Sequence, residues 1–193
     1  TLIGPAGTGK TMIALYAGLC QAVDDWHTVI PKQAQYSRLI VTRPIQPMGK
    51  DIGYLPGTLE EKMSPWVAPI NDNLQFLLGN GRDSLKEYVA EGIIEIEALT
   101  YIRGRSINNA FIVVDEIQNM TAHELKTVIT RVGENSKIVL MGDIEQIDNV
   151  YIDETTNGLT YAVEKFKEHD IAGHITLTRG ERSKVATLAA KIL

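Results

Sequence analysis

Short apolar runs alternate along this chain with longer stretches in which apolar residues recur at helical spacing. Phe111-Ile-Val-Val114 and Ile138-Val-Leu-Met141 are unbroken apolar runs, and such runs suit strands covered on both faces. With their flanks they predict strands at 111–115 and 137–142, and weaker signals place others at 1–3, 38–42, 93–97 and 171–177. Helical patterns fill the intervals: residue 10 to about 24, a segment opening near Thr58, then 65–78, 84–90, 121 to about 131, 158–168 and 183–193. Thr58 with Glu61, and Thr121 with Glu124, have the spacing of a capping box, in which each residue satisfies an open backbone donor of the other. Strand and helix in this order predict an α/β fold, a mostly parallel sheet with helices on both faces.

Two intervals resist this pattern. Residues 25–37 have weak periodicity and read as a surface insertion. Residues 42–57 carry Pro44, Pro47, Gly49, Gly53, Pro56 and Gly57, and a loop that long is more often functional than idle.

Within the 193 residues, 44% are hydrophobic, which is enough for one full-sized core and predicts a single domain over 1–193. The apolar runs are too short to cross a bilayer, and the first residues lack the pattern of a signal peptide. Cys20 is the sole cysteine, so no internal disulfide can form, and a cytoplasmic protein is expected. The histidines at 27, 123, 169 and 174 lack metal-ligand spacing. The net charge of −5 argues against a broad nucleic-acid surface, although it leaves room for a local basic channel.

The chemistry concentrates in four segments. Gly4-Pro5-Ala6-Gly7-Thr8-Gly9-Lys10-Thr11 matches the phosphate-binding loop G-x-x-x-x-G-K-[ST], after a strand and before a helix. Its glycines let the backbone wrap a phosphate, and the helix N-terminus adds positive potential. Lys10 should reach the β- and γ-phosphates of ATP, and Thr11 should place its hydroxyl on Mg²⁺. Only Thr1-Leu2-Ile3 precede the loop, so the launching strand is expected to begin upstream, in a core truncated at its N-terminus. Phe111-Ile-Val-Val-Asp115-Glu116 is an apolar strand ending in paired acids, the Walker B pattern. Asp115 would hold the metal, and Glu116 would orient or deprotonate the attacking water. Gly142-Asp-Ile-Glu-Gln146 follows another buried strand, and Gln146 could bond the γ-phosphate or the water. Arg182, after the last strand, could serve as an arginine finger.

The order of these pieces resembles the superfamily 1 helicases. The loop at 4–11 matches their motif I, Asp115-Glu116-Ile117-Gln118 resembles D-E-x-Q, Gly142-Asp143-x-x-Gln146 matches motif III, and Leu177-x-x-x-x-Arg182-Ser183 resembles motif IV. Arg43-Pro44, Gly53-Tyr-Leu-Pro-Gly57, Glu61-Lys62, Pro65, Arg103-Gly-Arg105-Ser106 and Gln146-Ile-Asp-Asn149 narrow the match to the PhoH-like ATPases. Gly180-Glu-Arg-Ser183 resembles the subgroup with an N-terminal PIN nuclease domain. The resemblance covers nearly the whole chain. Ile117 stands where Ala is commoner, and Val150 where Pro is expected.

The resemblance implies a RecA-like P-loop core, with the strand bearing Gly142 between the P-loop strand and the Walker B strand. It implies Mg²⁺-dependent ATP hydrolysis, with single-stranded RNA as a partner for unwinding or remodelling. It also implies a homo-oligomeric ring, in which Arg182 could act on its own nucleotide or on a neighbour's, and a PIN domain upstream. Two other classes stay open: a P-loop kinase of a small molecule, and a nucleotide-gated interaction module with little turnover. Glu116 and Gln146 favour hydrolysis over the kinase. Arg43, Lys50, Arg103 and Arg105 could form an RNA-binding rim, or could be ordinary surface charges or contacts to acids at the sheet ends. Trp66, Phe76 and the adjoining leucines at 77–78 are expected in the core rather than as a base-stacking platform.

Overall fold

The computed structural model describes residues 1–24, 33–44, 59–79, 82–102 and 104–180. In chain order the elements are β1 (Leu2–Ile3), α1 (Lys10–Ala22), β2 (Arg38–Arg43), α2 (Leu59–Leu78), α3 (Arg82–Ala90), β3 (Ile94–Ala98) and α4 (Leu99–Ile102). There follow β4 (Ala110–Val114), a 3₁₀ turn (Ile117–Asn119), α5 (Ala122–Ile129), β5 (Lys137–Gly142), α6 (Gly158–Phe166) and β6 (Ile175–Thr176).

The six strands form one sheet in the order β3-β2-β4-β5-β1-β6, and every pairing is parallel. The Gly142 strand does lie between the P-loop strand and the Walker B strand. Side-chain alternation divides the interior into two cores. Leu39 and Val41 of β2, Phe111 and Val113 of β4, and Met141 of β5 pack with Leu15 and Leu19 of α1, Ile70 and Leu74 of α2, and Leu85 of α3. Their neighbours Ile40, Ile112, Val114 and Leu140 pack on the opposite face with Leu125 and Val128 of α5, and Leu159 and Ala162 of α6. β4 is buried at every residue, as a central strand between two helical layers must be. This is the doubly covered α/β sheet that the apolar runs predict.

Several expectations need correction. A proline normally ends a helix because it lacks an N–H and crowds the preceding turn, yet α2 is a single 20-residue helix through Pro65 and Pro69. Burial of Ile70 and Leu74 on one helical face opposes the cost. Phe76 is not core: it is 76% exposed, off the face that Ile70 and Leu74 present inward. β6 is shorter than the predicted 171–177, because it pairs only with the two residues of β1. The short helix α4 and the 3₁₀ turn carry no periodicity long enough to read from sequence. The predicted helix at 183–193 lies outside the described residues, as does most of the loop at 42–57. Among the described residues no helix is long and apolar enough to cross a membrane.

Candidate functional site

The phosphate-loop motif forms a tight turn between β1 and α1. The Thr8 hydroxyl donates to the Pro5 carbonyl at 2.9 Å, and the Lys10 ammonium donates to the carbonyls of Gly4 and Pro5 at 2.5 and 3.0 Å. Gly7 and Gly9 have φ of 78° and 82°, the left-handed region that side chains disfavour. Gly4 has no room for a Cβ, which would overlap the carbonyl of Leu177 where the chain leaves β6.

Helix α1 therefore starts from Gly9 with no side-chain cap and no acid in its first turn. The first-turn amides of a helix lack intrahelical acceptors. With no side chain competing for them, these amides and the Lys10 ammonium suit an anion of phosphate type.

The Walker B acids lie opposite. The Thr11 hydroxyl donates to Asp115 Oδ2 at 3.1 Å, joining the first turn of α1 to the end of β4. Asp115 Oδ1 accepts from the Glu116 amide at 2.9 Å. Burial raises the Asp115 pKa to about 6, the adjacent Glu116 charge pushes the same way, and Arg43 and the two hydrogen bonds pull it down. A buried carboxylate beside a second carboxylate is a place where a bound cation relieves two unfavourable terms at once.

The donor set also fits Mg²⁺, which favours one or two protein oxygens completed by water and substrate phosphates over a full protein cage.

Glu116 has φ of 55°, an uncommon conformation for a residue with a side chain. This turn starts the 3₁₀ segment. The Glu116 carboxylate is contacted at both oxygens. Oε2 accepts from Gln118 Nε2 at 2.6 Å, and Oε1 lies 3.9 Å from Arg43 Nη2 at the end of β2. Arg43 also reaches the Trp66 carbonyl of α2 at 3.5 Å.

The Gly142 segment enters the same cluster through its backbone. Gln118 Nε2 donates to the Gln146 carbonyl at 2.9 Å, and the Asp143 amide donates to Gln118 Oε1 at 3.2 Å. Asn119 Oδ1 accepts from the Asp148 amide at 2.7 Å, and Asn149 Nδ2 donates to the Asn119 carbonyl at 3.1 Å. Asn119 and Asn149 thereby hold the segment after Gln146 against the 3₁₀ turn.

The predicted residues thus fall into three groups. The structure brings Gly4, Pro5, Ala6, Gly7, Thr8, Gly9, Lys10, Thr11, Asp115 and Glu116 to one end of the sheet. Gln146 is tied in by its backbone, with an exposed side chain. Arg182 lies outside the described residues.

Of the proposed RNA rim, Arg43 and Arg105 are paired with acids. Arg105 lies 3.0 Å from Glu97 and 3.6 Å from Glu95, and Arg43 faces Glu116. Lys50 and Arg103 lie outside the described residues. Sequence reasoning missed the contacts of Gln118 and Asn119, and allowed Arg43 an acidic partner at the sheet ends without identifying Glu116. The D-E-x-Q run marks Gln118, but spacing alone does not say what its amide touches.

Comparison with known proteins places this geometry in context. Residues 1–192 match the family model described as PhoH-like protein. The chain is 56% identical over 195 residues to Protein PhoH2 of Bacillus subtilis, covering 100% of this chain and 42% of that relative. It is 39% identical over 194 residues to Protein PhoH2 of Mycolicibacterium smegmatis, again covering 100% of this chain and 42% of the relative. It is 37% identical over 191 residues to a PhoH-like protein of Bacillus subtilis, covering 99% of this chain and 56% of that relative. The chain therefore spans between about two fifths and three fifths of the length of these relatives.

Proposed function

Because this chain belongs to the PhoH-like family, we propose that it binds ATP with Mg²⁺ and hydrolyses the γ-phosphate, in the service of RNA remodelling. The hydrogen bond of 3.1 Å between Thr11 and Asp115 carries the reading. It draws together the phosphate loop and the paired acids, the two halves that hydrolysis of a nucleoside triphosphate requires.

In this reading the amides of residues 4–11 cradle the phosphates, and Lys10 leaves the Gly4 and Pro5 carbonyls to meet the β- and γ-phosphates. The Thr11 hydroxyl and the Asp115 carboxylate would hold Mg²⁺. When bound, the ion would neutralise charge on the phosphate oxygens and orient them. Glu116 sits beside that position and takes a proton from the attacking water as general base. Gln146, on the loop tied to Gln118, orients the water or senses the γ-phosphate. Arg182 stabilises charge on the transferred phosphoryl group, from its own chain or from a neighbour in a ring. The RNA partner, the oligomeric ring and an upstream PIN domain follow from the family resemblance. A cytoplasmic setting is part of the same reading.

Phosphate release, with and without single-stranded RNA, tests the core of this reading. Glu116→Gln should preserve ATP binding and lower turnover by about 10²-fold or more, the usual worth of a positioned general base. Wild-type rates in that variant would remove Glu116 from the chemistry. A wild-type protein that binds ATP without turning it over would favour a nucleotide-gated module.

A further inference from the structure

Gln118 is fully buried within the 3₁₀ turn that follows Glu116. Its side-chain amide joins the two segments that flank the site. Nε2 donates both hydrogens, one to Glu116 Oε2 at 2.6 Å and one to the Gln146 carbonyl at 2.9 Å. Oε1 accepts from the Asp143 amide at 3.2 Å. The orientation of this amide is fixed by chemistry. A carboxylate and a carbonyl can only accept, and a backbone N–H can only donate, so a flipped amide would face three mismatched partners.

Gly142 supports the arrangement from the other side. A Cβ there would overlap Gln118 Oε1 and lie 3.0 Å from Leu159 Cδ2. Glycine at this position is what lets the amide reach the Asp143 backbone.

We infer that Gln118 is a positioning residue. It couples the Glu116 carboxylate to the loop at 142–146, so that displacement of the loop moves the carboxylate and the reverse. The physical basis is the absence of slack. Both donors of a buried amide are committed, and breaking either leaves a polar group unpaired in a dry place. A shift of the Gln146 carbonyl therefore drags Nε2, and Nε2 drags Glu116 Oε2. The inference rests on the proposed ATPase reading and adds to it how the base is aimed and what moves it.

The test compares Gln118→Met, which keeps length and apolar packing while removing the amide, with Gly142→Ala, which crowds the amide while leaving Gln118 in place. Steady-state phosphate release gives kcat and KM. Binding of a non-hydrolysable fluorescent ATP analogue and melting of the ligand-free protein are measured alongside.

Gln118→Met should lower kcat about 10- to 100-fold, the cost of misplacing a catalytic group by roughly 1 Å. KM and analogue affinity should stay within about threefold. Gly142→Ala should show the same split. In a Gln118→Ala background, where the space is vacated, it should cost markedly less than in wild type.

Wild-type kcat in Gln118→Met, or losses that simply multiply in the double variant, overturn the coupling and leave the ATPase reading standing. A fall in kcat matched by loss of analogue binding, or by unfolding at the assay temperature, reduces Gln118 to a structural role and also overturns it. A wild-type protein that binds the analogue without hydrolysing ATP sinks both readings.

Discussion

At the scale of single residues, the main tension is a carboxylate placed where the fold alone does not want a charge. Asp115 is buried, and its pKa is raised from 3.8 to about 6 by burial first and by the Glu116 charge second. A group whose folded pKa lies above its unfolded value contributes most to stability below the unfolded pKa. That contribution is lost as pH rises through the folded value. In the magnesium-free protein, Asp115 should therefore erode stability between about pH 4 and pH 6, leaving a constant penalty above. A shift of this size corresponds to at most about 3 kcal/mol. Asp115→Asn should raise the melting temperature of the magnesium-free protein near pH 7.5, with the gain vanishing below about pH 4. Thermal melts across that range, in a chelator, check it; an Asn variant that melts lower at pH 7.5 would mean that the charge is not a burden. Such a burden makes sense in a site that recruits a cation. The acids were legible from sequence because an apolar strand ending in Asp-Glu is a local pattern. Which acid Arg43 meets was not: it lies 73 positions before Glu116 in number, and only the pairing of β2 with β4 brings the two together.

At the scale of elements, the site is presented by a 3₁₀ turn and the helix that follows it. Thr121 closes this unit as the N-cap of α5. Its hydroxyl accepts from the Glu124 amide at 3.2 Å, and Glu124 Oε2 accepts from the Thr121 amide at 2.9 Å. Thr121→Ala should cost about 1 kcal/mol, the usual worth of an N-cap. Because Leu125 and Val128 of α5 stay packed in their core, ATP affinity should be unchanged. Denaturant titration and nucleotide binding check the two halves; a loss of affinity would show that the cap also holds the site. This capping box was readable from spacing alone, and so was the apolar core strand at β4, because both signals are local. The unbroken course of α2 through its prolines was not readable, since a local rule gave way to burial of Ile70 and Leu74 in the tertiary fold. Strand ends were legible to within a residue at β2, β3 and β4. β6 was overcalled, because strand length depends on what a neighbour offers for pairing.

At the scale of the whole molecule, the candidate site is held by both helical layers. Thr11 belongs to α1, whose Leu15 and Leu19 pack in one core. Gln118 sits between Ile117 and Met120, whose neighbours are Leu125 and Leu159 in the other. The 3.1 Å contact between Thr11 and Asp115 spans the seam between layer and sheet. Its length should therefore depend on how closely α1 lies on the strands. Gly18 controls that approach, since a Cβ there would lie 2.6 Å from Leu39 Cδ1 and 3.1 Å from Phe111 Cδ1. Leu39 and Phe111 are fully buried side chains on adjacent central strands, with little freedom to retreat in a close-packed interior. Gly18→Val must then lift α1, and a helix moves as a rigid rod over the roughly 12 Å between Gly18 and Lys10. The expected result is a loss of about 1–3 kcal/mol from overpacking. Unlike Thr121→Ala, it should come with weaker ATP binding at temperatures where the variant is still folded. Melting curves and nucleotide titration on the two variants side by side separate the cases. Equal affinity in both would mean that the phosphate loop keeps its place independently of α1. A selective loss in Gly18→Val would trace nucleotide affinity to the fit of one helix on two strands.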